Sequence, residues 1–103
     1  MADKLKSHTY DAAAYLKTKQ DCALYLQAAI DESDGKPALI VAALGDIARA
    51  HGMMQLARET GLTREGLYNA LSPDGNPGFA MVMKVCKALG LKLLTEPVET
   101  QIK

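Results

Sequence analysis

The chain has 103 residues, 49% of them hydrophobic and 23% charged, a length and balance that suit one domain with a compact core and exclude a disordered chain. Twelve basic side chains offset twelve acidic ones, so the whole chain lacks the basic excess expected of a nucleic-acid binder. Alanine and leucine are abundant, Trp is absent and aromatics make up 5%, which favours helices over sheets and sets the expected class as all-α.

About five helices are expected, with a short piece at each end. Asp11 to Tyr15 is predicted to start a short helical turn, with Asp11 as its N-cap. Cys22, Tyr25, Leu26, Ala29 and Ile30 then occupy i, i+3, i+4, i+7 and i+8, the pattern of an amphipathic helix whose polar side carries Asp21, Gln27 and Asp31. The run Glu-Ser-Asp-Gly-Lys-Pro at 32 to 37 predicts a loop, with Pro37 suited to the first turn of the next helix. That helix is expected to reach about Ala50, with Ile40, Leu44 and Ile47 inward and Gly52 at its end.

Residues 53 to 72 read as two short helices hinged at Gly61. A steep crossing over a tight turn needs a small residue at the contact, met by Ala57, and a residue free to take positive φ, met by Gly61. Leu56, Leu62, Leu67 and Leu71 would form the buried side, and Thr63 would cap the second helix by accepting from the N–H of Glu65 or Gly66. Arg64, Glu65, Tyr68 and Asn69 are left outward, with Thr63 at the helix start. This is the pattern of a helix-turn-helix presenting polar groups to base edges and phosphates. An ordinary helical hairpin with a solvated polar face would share much of it.

Ser-Pro-Asp-Gly-Asn-Pro-Gly at 72 to 78 predicts a loop. An amphipathic helix follows, with Phe79, Val82, Met83, Cys86 and Leu89 as its expected buried stripe and Gly90 as its end. Leu91 to Leu94 would extend that core or pair as a short strand with its twin in a dimer, and Pro97 would stop it. A loose tail is expected from Val98 to Lys103. Met53, Met54, Met81 and Met83 are expected to fill the core.

Cys22 and Cys86 belong to no Cys-x-x-Cys or Cys/His cluster and are expected to be buried thiols. His8 and His51 have no partner at metal spacing, and His51 is expected to meet the carbonyls at a helix C-terminus. With no nucleophile beside a base, no phosphate-cradling glycine loop and no metal cluster, the expectation is a protein that is not an enzyme and carries no cofactor or metal. No apolar run has the length a bilayer needs and the N-terminal residues lack a hydrophobic signal core, so a cytoplasmic location is expected. Residues 46 to 92 hold six basic against four acidic side chains, a local net charge of +2, while the two flanking segments are each at −1. A monomer this neutral would hold DNA weakly at physiological salt, so a DNA-binding role implies a dimer or larger assembly.

Ala-Ala-Leu-Gly-Asp-Ile-Ala-Arg-Ala-His-Gly-Met at 42 to 53 and the run from Leu56 to Ser72 carry a family resemblance, joined by Gly-Asn-Pro at 75 to 77 and Lys-Ala-Leu-Gly-Leu at 87 to 91. Tyr-Asp-Ala-Ala-Ala-Tyr-Leu at 10 to 16 adds to it. In these segments the chain resembles the addiction-module antidote, or antitoxin, family with a lambda-repressor-like, Xre-type helix-turn-helix, similar to HigA. The resemblance implies an all-α, five-helix lambda-repressor-like fold with an N-terminal helical extension, divided into that extension at 1–35, a helix-turn-helix DNA-binding domain at 36–95 and a loose tail at 96–103. It also implies a cytoplasmic homodimer that represses its own operon and neutralises a toxin of the RelE/ParE superfamily. In that picture the helix from Thr63 to Leu71 enters the major groove of operator DNA, with Thr63, Arg64, Glu65, Tyr68 and Asn69 at the exposed recognition positions. Gln55 and Asn76 would touch the DNA backbone. Three residues depart from the pattern: Met54 stands where a Ser or Thr would start the first helix of the motif, Gly66 lies inside the recognition helix, and the acid Glu65 faces outward. Two other readings fit the same residues, a solitary helix-turn-helix transcriptional regulator and a protein-interaction module that no longer binds DNA. The toxin-binding face is expected on the N-terminal helices, Tyr10 to Ile30.

Overall fold

The computed structural model describes residues 14–98, which form five α-helices and no strand. They are α1 (Lys19–Ser33), α2 (Pro37–His51), α3 (Met53–Thr60), α4 (Arg64–Ala70) and α5 (Phe79–Ala88). The all-α expectation holds in this part of the chain. Ala14 and Tyr15 are helical, while the expected cap at Asp11 and the tail beyond Val98 lie outside the described residues.

A capping box begins α1. The Thr18 hydroxyl accepts from Asp21 N–H at 3.0 Å, and the Asp21 carboxylate accepts in return from the N–H groups of Thr18 and Lys17, each at 3.1 Å. Those backbone donors hold the Asp21 carboxyl below its usual pKa. The helix runs further than the expected loop at 32 to 37 allows. Glu32 and Ser33 are helical, and only residues 34 to 36 turn. The Ser33 hydroxyl donates to the Ile30 carbonyl at 2.8 Å, which lets a polar residue be buried in the last turn. Asp34 and Gly35, at φ 51° and 82°, reverse the chain.

Pro37 starts α2 as expected, at a position where its missing N–H costs nothing. This helix is the centre of the fold, burying Val41, Ala43, Leu44, Gly45, Asp46, Ile47 and Ala48. A Cβ on Gly45 would stand 2.8 Å from the Leu71 carbonyl oxygen, so the missing side chain lets the end of α4 lie directly on α2. α1 packs along α2, and α3 contacts α2, α4 and α5. Leu44, Ile47, Leu56, Leu67, Val85 and Cys86 are the largest fully buried side chains among the described residues.

One charged group is buried among them. Asp46, 6% exposed, accepts from the Tyr25 hydroxyl at 2.6 Å and from Arg49 Nη2 at 2.7 Å, so both carboxylate oxygens are satisfied. The bond ties α1 to α2. Burial first, and the hydrogen bond to Asp46 second, push the Tyr25 phenol well above its usual pKa.

Several expectations are corrected. Phe79 and Met83 do not belong to the buried stripe of α5: they are 73% and 44% exposed. Val85 and Cys86 face the core instead, with Leu89 beside them and Met81 and Val82 partly buried. With so many apolar residues in ten, two stripes are available to α5, and packing against α3 selects the one centred on Val85. Met54, 56% exposed, does not fill the core either, whereas Met53 does. Leu91 packs against the core, but Leu94 is 76% exposed and residues 91–98 continue without helix, turn or bend. Cys86 is buried and Cys22 half-buried, both free thiols, with burial raising the pKa of each.

Candidate nucleic-acid interface

The helix-turn-helix is assembled by the local rules its residues obey. α3 ends at Gly61, whose φ of 78° is left-handed and whose N–H donates to the Ala57 carbonyl at 2.9 Å. Leu62 then turns inward, packing against the core. Thr63 starts α4 in extended backbone, and its hydroxyl accepts from Gly66 N–H at 3.0 Å. That bond accounts for the glycine inside the helix. A Cβ on residue 66 would stand 2.9 Å from the Thr63 hydroxyl oxygen.

With Leu67 and Leu71 buried beneath it, α4 turns Arg64, Glu65, Tyr68 and Asn69 outward, all exposed, and Thr63 is exposed at its start. The Arg64 guanidinium carbon lies 5.8 Å from the centroid of the Tyr68 ring, a cation–π pair one turn apart. Stacking of this kind orients a guanidinium while leaving its N–H donors available.

Gln55 and Asn76 sit on neighbouring parts of the fold. Gln55 is exposed in the first turn of α3, and its amide nitrogen donates to Glu59 Oε2 at 2.9 Å. The other oxygen of Glu59 meets His51 Nε2 at 2.8 Å, so His51 has a carboxylate partner and not the helix carbonyls expected from its place near the end of α2. These two hydrogen bonds, Gln55 first, hold the Glu59 carboxyl below its usual pKa. The His51–Glu59 contact was not legible in the sequence, because that pair spans the α2–α3 junction. Asn76 is exposed in the loop from 71 to 78. That loop doubles back on α4: a Cβ on Gly75 would stand 2.0 Å from the Ala70 carbonyl oxygen and 2.7 Å from that of Asn69. Asn76 therefore follows directly on the contact with the C-terminal end of α4.

Among the described residues no group of three or more His, Cys, Asp or Glu side chains is placed to hold a metal ion, and no helix is long and apolar enough to cross a membrane. The site offers hydrogen-bond donors, acceptors and one stacked cation on a short helix.

Residues 6–97 match the family described as "probable addiction module antidote protein". An uncharacterised protein of Haemophilus influenzae (strain ATCC 51907 / DSM 11121 / KW20 / Rd) is 50% identical over 92 residues, covering 89% of this chain and 91% of that protein. No solved structure matches. A match over nearly the whole chain, carrying the complete helix-turn-helix and the helices that support it, places the protein in the addiction-module antidote family.

Proposed function

We propose that this antidote is the antitoxin of a type II toxin–antitoxin module, a homodimeric repressor that holds its own operator through α4 and neutralises a toxin of the RelE/ParE superfamily in the cytoplasm. The observation that carries the reading is the exposed polar face of α4, Thr63, Arg64, Glu65, Tyr68 and Asn69, raised on a buried Leu67–Leu71 side. Arg64 suits a guanine O6/N7 pair or a phosphate, Asn69 suits adenine N6/N7, and Glu65 suits the cytosine amino group. Gln55 and Asn76 serve the DNA backbone and fix the register of the domain on the duplex. The lambda-repressor-like domain spans 36–95, with 1–35 as a helical extension and 96–103 as a tail. Arg64→Ala and Asn69→Ala should each weaken operator binding by about 1–3 kcal/mol, read by gel shift on variants whose helicity is unchanged. Unaltered affinity in both would remove α4 from the DNA.

Toxin neutralisation is assigned to the N-terminal helices, Tyr10 to Ile30, where Leu24 of α1 is 61% exposed on the side of the helix away from the buried Leu26. Leu24→Asp should abolish co-purification with the toxin while operator binding persists. Retained toxin binding would place the contact elsewhere.

The neutral chain and the outward Glu65 favour a second reading, a protein-interaction module without DNA affinity. Absence of salt-dependent DNA retention, with or without the toxin, would select it.

A further inference from the structure

Among the described residues an apolar surface lies uncovered on the side of α5 away from the core. Phe79 and Met83 lie one turn apart on it, 73% and 44% exposed. Met83 and Leu93 line the same open groove with Lys84, Lys87 and Lys92. Leu94 and Val98 continue the exposed apolar run at 76% and 57%. Residues 92–98 make no backbone hydrogen bond with any other described residue. A segment with exposed leucines and with N–H and C=O groups unpaired among the described residues is a template for strand pairing.

We propose that this segment is the homodimer interface, formed when residues 92–96 of two copies pair as an antiparallel two-stranded ribbon centred on Leu94. The proposal rests on the homodimer of the function argued above and names the surface that makes it. Charge selects both the occupant and the register. In a two-fold antiparallel pair centred on Leu94, residue 92 of one copy lies opposite residue 96 of the other, so Lys92 faces Glu96 twice, once on each side of the axis. Both side chains are exposed, and neither has an ion-pair partner among the described residues. Centring the pair on Leu93 sets Lys92 against Leu94, and centring it on Thr95 sets Leu94 against Glu96. The segment is thus complementary to itself in one register. Pro97, with no N–H to donate, closes the ribbon just beyond the charged pair; Leu94 meets its own copy across the axis on the face that carries Lys92 and Glu96, and Leu93 lies opposite Thr95 on the other face.

The test uses the full chain, followed by sedimentation equilibrium, with helicity checked for every variant. Wild type should be a dimer. Lys92→Glu and Glu96→Lys each set like charges face to face at two symmetric places, and each should raise the dimer dissociation constant roughly tenfold. The double variant Lys92→Glu/Glu96→Lys restores opposite charges and should return most of that loss. Leu94→Cys should form a disulfide-linked dimer on mild oxidation that wild type, with Cys22 and Cys86 alone, does not form, because residue 94 faces its own copy. A monomeric wild type, a dimer indifferent to the single reversals, a loss the double variant does not repair, or a dimer in which residue 94 fails to cross-link would each overturn the proposal. The operator reading stands or falls separately. A dimer with these responses that retains no DNA keeps the interface and removes the repressor, and operator binding by a dimer indifferent to them does the reverse.

Discussion

Gly45 and Gly75 show what single residues decide in this fold. Each holds a place where a Cβ would strike backbone, 2.8 Å from the Leu71 carbonyl oxygen at Gly45 and 2.0 Å from that of Ala70 at Gly75. Backbone cannot step aside as a side-chain tip can, so the strain must be taken up by moving whole segments. Gly45→Ala should cost about 1–3 kcal/mol by overpacking, reduced by the roughly 1 kcal/mol that alanine contributes to a helix interior. Gly75→Ala, with the closer clash and no helix to gain, should lie at the top of that range of roughly 1–3 kcal/mol. Urea denaturation of the two variants checks the order. A Gly75→Ala protein as stable as wild type would mean that the loop from 71 to 78 does not rest on α4. At the same scale, Thr63 and Gly66 act as one device, since the hydroxyl that caps α4 occupies the space a side chain at residue 66 would need.

Among the elements, α1 owes its start to Thr18 and Asp21. The Asp21 carboxyl is held below its ordinary pKa by the backbone N–H groups of Lys17 and Thr18, so its contribution to stability is complete above the unfolded value of about 4 and is lost as pH falls through the lower folded value. Asp21→Asn should be less stable than wild type at neutral pH, and the difference should shrink as the pH drops below about 4. Thermal melts across that range would show it, and a constant difference would assign the effect to something other than the carboxylate charge. The Thr18–Asp21 capping box was not among the expected features, where Asp21 was assigned only to the polar side of the helix. Gly61, Thr63, Leu67 and Leu71 were legible because turn, cap and burial at α3–α4 are set by neighbours within a few residues. The stripe of α5 was not, because Phe79 and Met83 are as apolar as Val82 and Val85 and only the position of α3 distinguishes them. The last turn of α1 was misread for a local reason. Glu-Ser-Asp-Gly has loop composition, yet the Ser33 hydroxyl bonds its own helix.

At the level of the whole molecule, the candidate interface is split between what sequence and packing reveal. The polar residues of α4 and their exposure followed from spacing. The contact of Glu59 with His51 needed the α2–α3 junction to exist first, whereas that of Gln55 with Glu59 lies within α3 at i,i+4. Charge sets the remaining constraint. A net charge of zero over the chain leaves little long-range attraction to a phosphate backbone, and the proposed pairing of two copies would present two α4 helices and two of the locally basic segments to one duplex. The most direct test of the repressor reading is a gel-shift titration of the full chain against its own promoter DNA at two salt concentrations, with an unrelated duplex as the control. We expect retention of the promoter well above the control, weakening steeply as salt rises. Equal retention of both duplexes, or none of either at the lower salt, would contradict sequence-specific binding through α4.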